Sequence, residues 1–342
     1  MKKYNVTIGM PVYKSVDSIR RSLLSALNQS YFSIEFLIVD DCGFDGSLDI
    51  IEQLKGEHPR GDDIHIVCHA QNLGVSTARN HIIEEAQGDF LYFMDSDDMI
   101  AEDTIELLMK NVCQYDAEIA FGSYEKILTS GERIVYQYPS LQLLGKDKLA
   151  EFAYRKYGGI QASACNYLVK TSILRDNHLR FIDTNYWEDM VFTFDLVTYI
   201  TRAVLLPTIT YSYLCRENSL SHYQFRNHIS KGEVLQNVKA IDHLKESSLS
   251  LYNKAYFGNR CYNIVMTDFY IACTILKRRK EIIPSITNGE IRNFMKHPAT
   301  LCQIVQFNRL RLSNLFLYAL TKMPSSWCVT LIRFIGKKKQ LI

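Results

Sequence analysis

The chain has 342 residues, of which 47% are hydrophobic and 22% charged, a balance typical of a folded protein of about two domains. Its 39 basic and 37 acidic side chains leave a formal net charge of only +2, so a nucleic-acid partner is not expected. The nine cysteines never form a Cys-x-x-Cys pair, which argues against a disulfide framework and a thiolate zinc site.

The amino-terminal residues run into a strand pattern without the apolar core of a signal peptide. Nor does any stretch stay apolar for long enough to cross a bilayer. Together with the cysteine pattern, these features predict a cytoplasmic protein.

The first third of the chain alternates short apolar strands with segments of helical periodicity. Strands are predicted at 6–10, where Pro11 should end the first one, and at 36–39, 64–67 and 90–94. Helices are predicted at 18–28, 47–54 and 76–86. Helices of this length between strands imply crossover connections and a mostly parallel α/β sheet flanked by helices.

The rest of the chain is mixed and then helical. A strand at 119–124, a hairpin around Ser130-Gly131, a helix at 149–157 and strands at 166–169 and 209–213 are predicted. From Ile229 onward, helical spacing dominates, with Pro284 and Pro298 breaking the helices.

The segment Asp95-Ser96-Asp97-Asp98 follows directly on the predicted buried strand at 90–94. Open α/β sheets bind their ligands where strands end, and clustered carboxylates favour a positive partner. A hard divalent cation carrying a diphosphate, Mg²⁺ or Mn²⁺, would suit these oxygens. The alternative is a helix start capped by Asp97 or Asp98.

Two further clusters are candidates for binding a nucleotide. Pro11-Val12-Tyr13 and Asp40-Asp41 end two strands, so that an aromatic ring and an acid could bind a base with an imide N–H. Arg79 would lie in the first turns of a helix, where a guanidinium suits phosphate. Strand-end turns and a solvated surface arginine are the alternatives.

Two more segments offer acid–base and loop chemistry. Glu188 and Asp189 precede an apolar helical stretch, and Asp189 could act as a general base; a helix N-terminus that favours acids is the alternative. Arg216 and His222 lie in a loop after a strand and could close over phosphate or metal.

The order of these motifs resembles the inverting family 2 glycosyltransferases with a GT-A fold. The resemblance covers residues 4–222 and rests on six motifs in order: Pro11-Val12-Tyr13, Val39-Asp40-Asp41, Asn72-Leu73-Gly74 with Ala78-Arg79-Asn80, Asp95 to Asp98, Glu188-Asp189, and Arg216 to His222. One departure is Cys42-Gly43, where Asn or Gly followed by Ser is more usual.

The resemblance implies a role for each matched residue. Asp41 would contact the nucleobase, with Asp40, Pro11, Val12 and Tyr13 in the same pocket and Arg79 holding the nucleotide. Asp95 and Asp97, with Ser96 between them, would form the family's Asp-x-Asp motif and reach ribose and the Mn²⁺ or Mg²⁺ ion, which Asp98 could share. Asp189 would be the catalytic base, and Glu188 would support it or face the acceptor. Arg216 and His222 would cover the diphosphate.

The implied activity is metal-dependent transfer of a sugar from a nucleotide sugar, with UDP favoured, to a hydroxyl of a saccharide or lipid-linked acceptor, with inversion to a β-linkage. Residues 1–115 would bind the donor, 116–225 the acceptor, and 226–342 would form a helical extension. The alternative is a GT-A-like module that binds without turnover. A dinucleotide oxidoreductase and a P-loop NTPase lack their glycine motifs here.

The carboxyl-terminal stretch 310–335 is amphipathic and is followed by Lys337-Lys338-Lys339. This pattern suits peripheral contact with an anionic membrane surface, which would place the protein at the inner face of the membrane. A helical cap with a solvated lysine tail is the alternative.

Overall fold

The computed structural model describes residues 4–155, 159–216 and 228–342. The chain divides into two compact units. The first comprises Met1–Leu149, Ala162–Asn185 and Phe192–Ser219, and the second comprises Ala150–Gln161, Tyr186–Val191 and Leu220–Ile342. The division by role into residues 1–115, 116–225 and 226–342 stays a prediction.

The chain up to residue 214 alternates strands and helices, as the hydrophobic pattern predicts. In order, the elements are β1 (Val6–Val12), α1 (Ile19–Leu27), β2 (Ile34–Asp40), α2 (Ser47–Glu57), β3 (Ile64–Cys68), α3 (Val75–Glu85), β4 (Phe90–Phe93), β5 (Met99–Ile100), α4 (Thr104–Tyr115), β6 (Ile119–Ile127), β7 (Arg133–Tyr136), β8 (Leu141–Leu144), α5 (Lys148–Arg155), β9 (Tyr167–Lys170), α6 (Thr171–Asp176), α7 (Glu188–Leu196) and β10 (Arg202–Leu214).

The first unit is built on one sheet with the strand order β3-β2-β1-β4-β9-β6-β10-β5. The four strands β3, β2, β1 and β4 are parallel, as predicted. Beyond β4 the sheet is mixed, because β9 pairs antiparallel with both β4 and β6. The strands β7 and β8 attach to β6 and β10.

The prediction that Pro11 ends the first strand is wrong. β1 continues through Pro11 to Val12, with Pro11 opposite Val39 in the parallel pair with β2. The pairing of β1 with β4 ends earlier, at Gly9, whose carbonyl accepts from Met94. The nitrogen of Pro11 faces the β4 side of β1, beyond the end of β4. Because β4 has no carbonyl to pair with at this position, the absence of an N–H group on Pro11 costs no hydrogen bond.

Close packing of α3 on the sheet fixes the position of that helix. Ile82 and Ile83 of α3 are fully buried, and a Cβ atom on Gly9 of β1 would lie only 2.3 Å from Cγ2 of Ile82. A side chain at residue 9 would therefore push α3 off the sheet. α3 carries Arg79 and follows the turn at Gly74.

The second unit is helical, with a short parallel strand pair. Its remaining elements are β11 (Ile229–Ser230), α8 (Lys231–Ser248), α9 (Phe257–Lys277), β12 (Ile282–Ile283), α10 (Asn288–Phe294), α11 (Leu301–Ile304), α12 (Arg311–Leu320) and α13 (Ser325–Lys338). Pro284 and Pro298 lie between helices, as predicted. Capping boxes start α8 and α10. Among the described residues, no helix is long and apolar enough to cross a bilayer.

Two buried cations at the centre of the second unit, Arg260 and Lys245, have polar partners. Arg260 of α9 is fully buried, and its guanidinium donates to the hydroxyls of Ser247, Ser248 and Tyr154. Lys245 of α8 lies 2.7 Å from a carboxylate oxygen of Asp268, which is also fully buried. Burial raises the pKa of Asp268 to about 7, against the opposing effect of Lys245.

Candidate functional site

The carboxyl ends of β1, β2 and β4 meet at one edge of the sheet. Val12, the last residue of β1, pairs with Asp40 at the end of β2, and Gly9 pairs with Phe93 at the end of β4. The acidic segments that follow β2 and β4 therefore leave the sheet on either side of β1. The structure brings Asp40-Asp41 and the segment from Asp95 to Asp98 to one edge, as predicted.

Asp41 is buried and holds the turn that precedes α3. Its Oδ1 accepts a hydrogen bond from the Leu73 N–H at 2.8 Å and lies 2.7 Å from Nδ1 of His69. Its Oδ2 accepts from the Gly74 N–H at 2.8 Å. The carboxylate thus orders the loop in front of α3, and a base could use only its remaining lone pairs. Contact with the nucleobase stays a prediction.

Two histidines that the sequence reasoning missed extend this arrangement. His69 places Nε2 3.1 Å from Nδ1 of His81, and the two rings stack with centroids 5.4 Å apart. One signal was available in the sequence. His69 follows β3 directly, which is the kind of position that Asp41 has after β2.

The loops after β1 and β2 approach each other closely beside Tyr13. A Cβ atom on Gly43 would lie 2.8 Å from the backbone nitrogen of Lys14, so glycine is needed there. Burial raises the pKa of Asp40, while the backbone N–H groups of Gly43 and Cys42 act in the opposite direction. Pro11 and Val12 are buried in β1, and the Tyr13 ring is half-exposed at the edge.

Arg79 and Asp95 form a partly buried ion pair across the edge. Nη2 of Arg79 lies 2.8 Å from Oδ1 of Asp95, and only 5% of the arginine side chain is exposed. The guanidinium also lies over the ring of Phe181, 5.3 Å from its centroid. The pair joins α3 to the end of β4, and the solvated-arginine alternative is therefore wrong.

Asp97 pairs with a second arginine. Its carboxylate accepts a hydrogen bond from Arg216, and its backbone carbonyl accepts one from Arg21 at 3.3 Å. Burial and the charge of Asp95 raise the pKa of Asp97, while Arg216 lowers it. Arg216 is 47% exposed, so this guanidinium can also reach a ligand in solution.

Asp98 faces inward and is held by β10. Its Oδ2 accepts from the Tyr211 hydroxyl at 2.6 Å and its Oδ1 from the Leu214 N–H at 2.9 Å. The Tyr211 hydroxyl also accepts from the Asp95 N–H at 3.3 Å, so one buried tyrosine positions two acids. Burial, with the charges of Asp95 and Asp97, raises the pKa of Asp98 well above its ordinary value. The sequence analysis places Tyr211 in the predicted strand 209–213 before the Arg216 loop, but it does not predict this contact with the acids.

Ser96 lies between the two acids of the predicted Asp-x-Asp motif and is buried. Its hydroxyl lies 2.6 Å from that of Ser15, and its carbonyl accepts from Ser18 at 3.0 Å. Ser96 therefore anchors the acidic segment to the loop after β1. Its predicted contact with the donor stays a prediction.

The acidic segment suits a divalent cation by its charge and by its oxygen donors. Burial and the charge of Asp95 raise the pKa of Asp97, and a bound cation would oppose both effects. Mg²⁺ needs only one or two protein carboxylates when phosphate supplies further oxygens. Asp95 and Asp97 could be those two, because both oxygens of Asp98 accept hydrogen bonds from β10. Within the described ranges, no three acidic, histidine or cysteine side chains form a metal-binding group. The metal site stays a prediction.

Glu188 and Asp189 form the first turn of α7. Both belong to the second unit, whereas the acids at the sheet edge belong to the first. Oδ1 of Asp189 accepts from the Met190 N–H at 2.6 Å, as expected of an acid at a helix start. Their predicted roles in catalysis stay predictions. His222 lies outside the described residues.

The comparison with protein families identifies the first half of the chain. The model of "Glycosyl transferase family 2" matches residues 7–176. An uncharacterized glycosyltransferase of Haemophilus influenzae is 34% identical over 38% of this chain and 55% of its own length. Glycosyltransferase GlyA of Streptococcus pneumoniae is 34% identical over 35% of this chain and 16% of its own. This chain thus spans about half of the first relative and a sixth of the second.

Longer alignments reach into the second unit at lower identity. The succinoglycan biosynthesis protein ExoO of Rhizobium meliloti is 25% identical over 66% of this chain and 65% of its own length. The solved structure of S. aureus TarS 1-349 in complex with UDP-GlcNAc superposes with a TM-score of 0.57 at 15% identity, over 93% of this chain and 90% of that one. The predicted GT-A fold with carboxyl-terminal helices is therefore confirmed.

Proposed function

Since the chain belongs to glycosyltransferase family 2 through residues 7–176, we propose that it transfers a sugar from a nucleotide sugar to a hydroxyl of an acceptor. The observation that carries the proposal is the pair of arginine–aspartate contacts at the end of β4, Arg79 with Asp95 and Arg216 with Asp97. Paired acids and guanidiniums can bind the two parts of a metal–diphosphate group, since the acids suit the cation and the arginines the phosphates.

The donor would lie along the carboxyl edge of the parallel strands. The base would bind near Tyr13 and Asp41, and the diphosphate near Asp97 and Arg216. Mn²⁺ or Mg²⁺, held by Asp95 and Asp97, would stabilise the charge on the leaving diphosphate as a Lewis acid. UDP is the favoured nucleotide, because the fold is similar to that of TarS 1-349, which is in complex with UDP-GlcNAc. Arg216, which is half-exposed, would leave Asp97 and turn to the phosphates.

The transfer would be a single displacement. Asp189, supported by Glu188, takes the proton of the acceptor hydroxyl while the hydroxyl oxygen forms a bond to the anomeric carbon. The bond from that carbon to the diphosphate oxygen breaks, and the diphosphate leaves with its electron pair. Because the acceptor attacks from the opposite face, an α-linked donor gives a β-linked product.

The acceptor would be a saccharide or a lipid-linked saccharide. A lipid-linked acceptor would require the protein to work at the inner face of the membrane. Peripheral contact through the carboxyl terminus is therefore part of the same proposal.

A non-catalytic GT-A-like binding module is the competing function. It would bind the nucleotide sugar with the same residues but would release no nucleoside diphosphate. Turnover alone separates the two functions, so the test must measure both binding and release.

The experiment is a donor screen on the full chain with Mn²⁺ or Mg²⁺, in which released nucleoside diphosphate is measured and nucleotide binding is followed by calorimetry. Asp97→Asn should lose metal-dependent binding and release, and Asp189→Asn should keep binding and lose release. Asp62→Asn, an exposed acid before β3, is the matched control and should behave as the parent chain. Binding without release from any donor, with or without saccharide acceptors, would favour the binding module. If Asp97→Asn kept both metal-dependent binding and release, the proposal would be contradicted.

A further inference from the structure

The charges of the chain are divided unevenly along its length. Residues 291–342 contain nine basic residues and no acidic one. The other 290 residues hold 30 basic and 37 acidic side chains, a net charge of −7. The small net charge of the whole chain is therefore the sum of a strongly basic carboxyl-terminal segment and an acidic remainder. The basic segment lies in the second unit, on α10 to α13.

The helix α13 has an exposed face that combines aromatic and basic side chains. Trp327 and Phe334 are seven residues apart, so they lie on one face two turns from each other, and they are 69% and 65% exposed. Lys338 follows on the same face one turn further, and the exposed Arg333 and Lys337 flank it. Large aromatic side chains left in water beside cations are typical of helices that lie in a membrane interface.

The preceding helix α12 repeats this pattern with apolar side chains. Leu312 and Phe316, one turn apart, are 78% and 43% exposed. Arg311 begins the helix and Lys322 follows its end, and both belong to the basic segment. The two helices are joined by only four residues, 321–324.

The other faces of both helices are already packed within the second unit, so the exposed residues are not needed for its core. Asn314 of α12 is buried and donates to the Gly258 carbonyl at 3.1 Å. Val329 and Ile332 of α13 are buried, and a Cβ atom on Gly336 would lie 3.0 Å from Sγ of Cys273 in α9. The packing of the buried faces of α12 and α13 within the second unit therefore fixes the position of their exposed faces.

We propose that the exposed faces of α12 and α13 form a docking surface for an anionic lipid membrane. In the bound state, Trp327, Phe334 and Leu312 insert between headgroups, and Lys337, Lys338 and Lys339 contact lipid phosphates. Charge complementarity selects an anionic surface, and the exposed apolar side chains select a lipid surface over a nucleic acid, which offers no apolar layer to receive them. This inference rests on the membrane contact in the proposed function, but the surface binds without donor or acceptor, so vesicle binding and sugar transfer can fail separately.

The test is flotation of the full chain with two kinds of vesicle, one of phosphatidylcholine alone and one of phosphatidylcholine with roughly 30% phosphatidylglycerol. Binding is expected to the anionic vesicles only and should weaken at high salt. Replacing Lys337, Lys338 and Lys339 with Gln should weaken binding up to roughly a hundredfold, since each lysine near the surface contributes about fivefold.

Two variants with matched controls separate the contributions. The control for the lysine variant replaces three exposed lysines of the first unit with Gln: Lys110, Lys146 and Lys148. It removes the same charge from the chain. Its affinity for the vesicles should therefore change by no more than about twofold, the effect of the lower net charge alone. Trp327→Ser with Phe334→Ser should weaken binding at least about tenfold. Phe32→Ser removes an aromatic that is 87% exposed in the first unit and should leave binding unchanged. Melting temperatures of all variants should match that of the parent chain.

Three results would overturn the proposal. The first is no flotation with anionic vesicles, and the second is equal losses in each variant and its control. The third is a concentration-dependent dimer, seen by light scattering, that is lost in the double variant Trp327→Ser with Phe334→Ser while flotation stays unchanged. The exposed face would then be an interface between two copies of the chain. Binding of a short DNA duplex with the same lysine dependence and without vesicle binding would assign the surface to nucleic acid instead.

Discussion

Removal of one hydroxyl group, in Tyr211→Phe, tests how the acidic segment is held. The Tyr211 hydroxyl donates to Oδ2 of Asp98 and accepts from the Asp95 N–H, and both Tyr211 and Asp98 are 1% exposed. A hydrogen bond to a charged group contributes about 1.5–3 kcal/mol to the free energy of unfolding. We expect a loss of about that size, and a melting temperature lower by roughly 3–12 °C.

The loss should depend on pH in a definite direction. Burial, Asp95 and Asp97 raise the pKa of Asp98 above its value in the unfolded chain, so its ionisation costs stability as the pH rises from about 4 through the folded pKa. The Tyr211 hydroxyl opposes this effect by stabilising the ionised carboxylate. The variant should therefore lose more stability at pH 8 than at pH 5.

Urea denaturation at the two pH values measures both effects, with Tyr92→Phe as the matched control. Tyr92 is also fully buried in the first unit, and its hydroxyl has no hydrogen-bond partner among the described residues. The control should therefore cost little or even stabilise. Equal losses in the two variants, or a larger loss for Tyr211→Phe at pH 5, would refute this account of the site.

Three further predictions concern other parts of the chain. Arg79→Lys keeps the charge but loses the planar guanidinium between Asp95 and Phe181, so calorimetry should show nucleotide binding weakened by about tenfold or more; unchanged affinity would remove Arg79 from the donor site. Because the pKa of Asp268 is raised to about 7, we expect the stability of the second unit to fall as the pH rises from about 4 to 7, and Asp268→Asn should abolish that fall. Urea denaturation at pH 5 and pH 8 checks this, and a fall in stability that persists in the variant would contradict it. Thr287→Ala removes the cap of α10 and should lower the free energy of unfolding by about 0.5–2 kcal/mol, whereas Thr330→Ala, an exposed threonine within α13, should cost less; equal urea midpoints for the two would count against the cap.

The parallel half of the sheet could be predicted because its strands are short apolar runs with helices between them. This local pattern determines β1 to β4 and, through the crossover rule, brings the acids after β2 and β4 to one edge. The mixed half could not be predicted in the same way. β9 follows β4 by more than seventy residues and still pairs with it, and no local pattern specifies such a partner.

The side-chain partners within the site were less predictable than its acids. Tyr211 contacts Asp98 across 113 positions of the chain, and Arg216 contacts Asp97 across 119. Loop chemistry and the resemblance both pointed to Arg216, but neither predicted the contact of Tyr211 with Asp98 or the position of His69. Periodicity reports which face a residue occupies, whereas the partner of a polar side chain depends on the folded sheet.

The first turns of α3 set a fixed spacing inside the proposed donor site. Asp41 holds the helix start through the N–H of Gly74, and Arg79, five residues later, holds Asp95. At 1.5 Å per residue these two anchor points lie about 7.5 Å apart along the helix axis. In the proposed donor site, the helix would therefore act as a spacer between the base end and the phosphate end of a nucleotide. One residue inserted between Gly74 and Arg79 would rotate the arginine by about 100° away from Asp95 and separate the two ends.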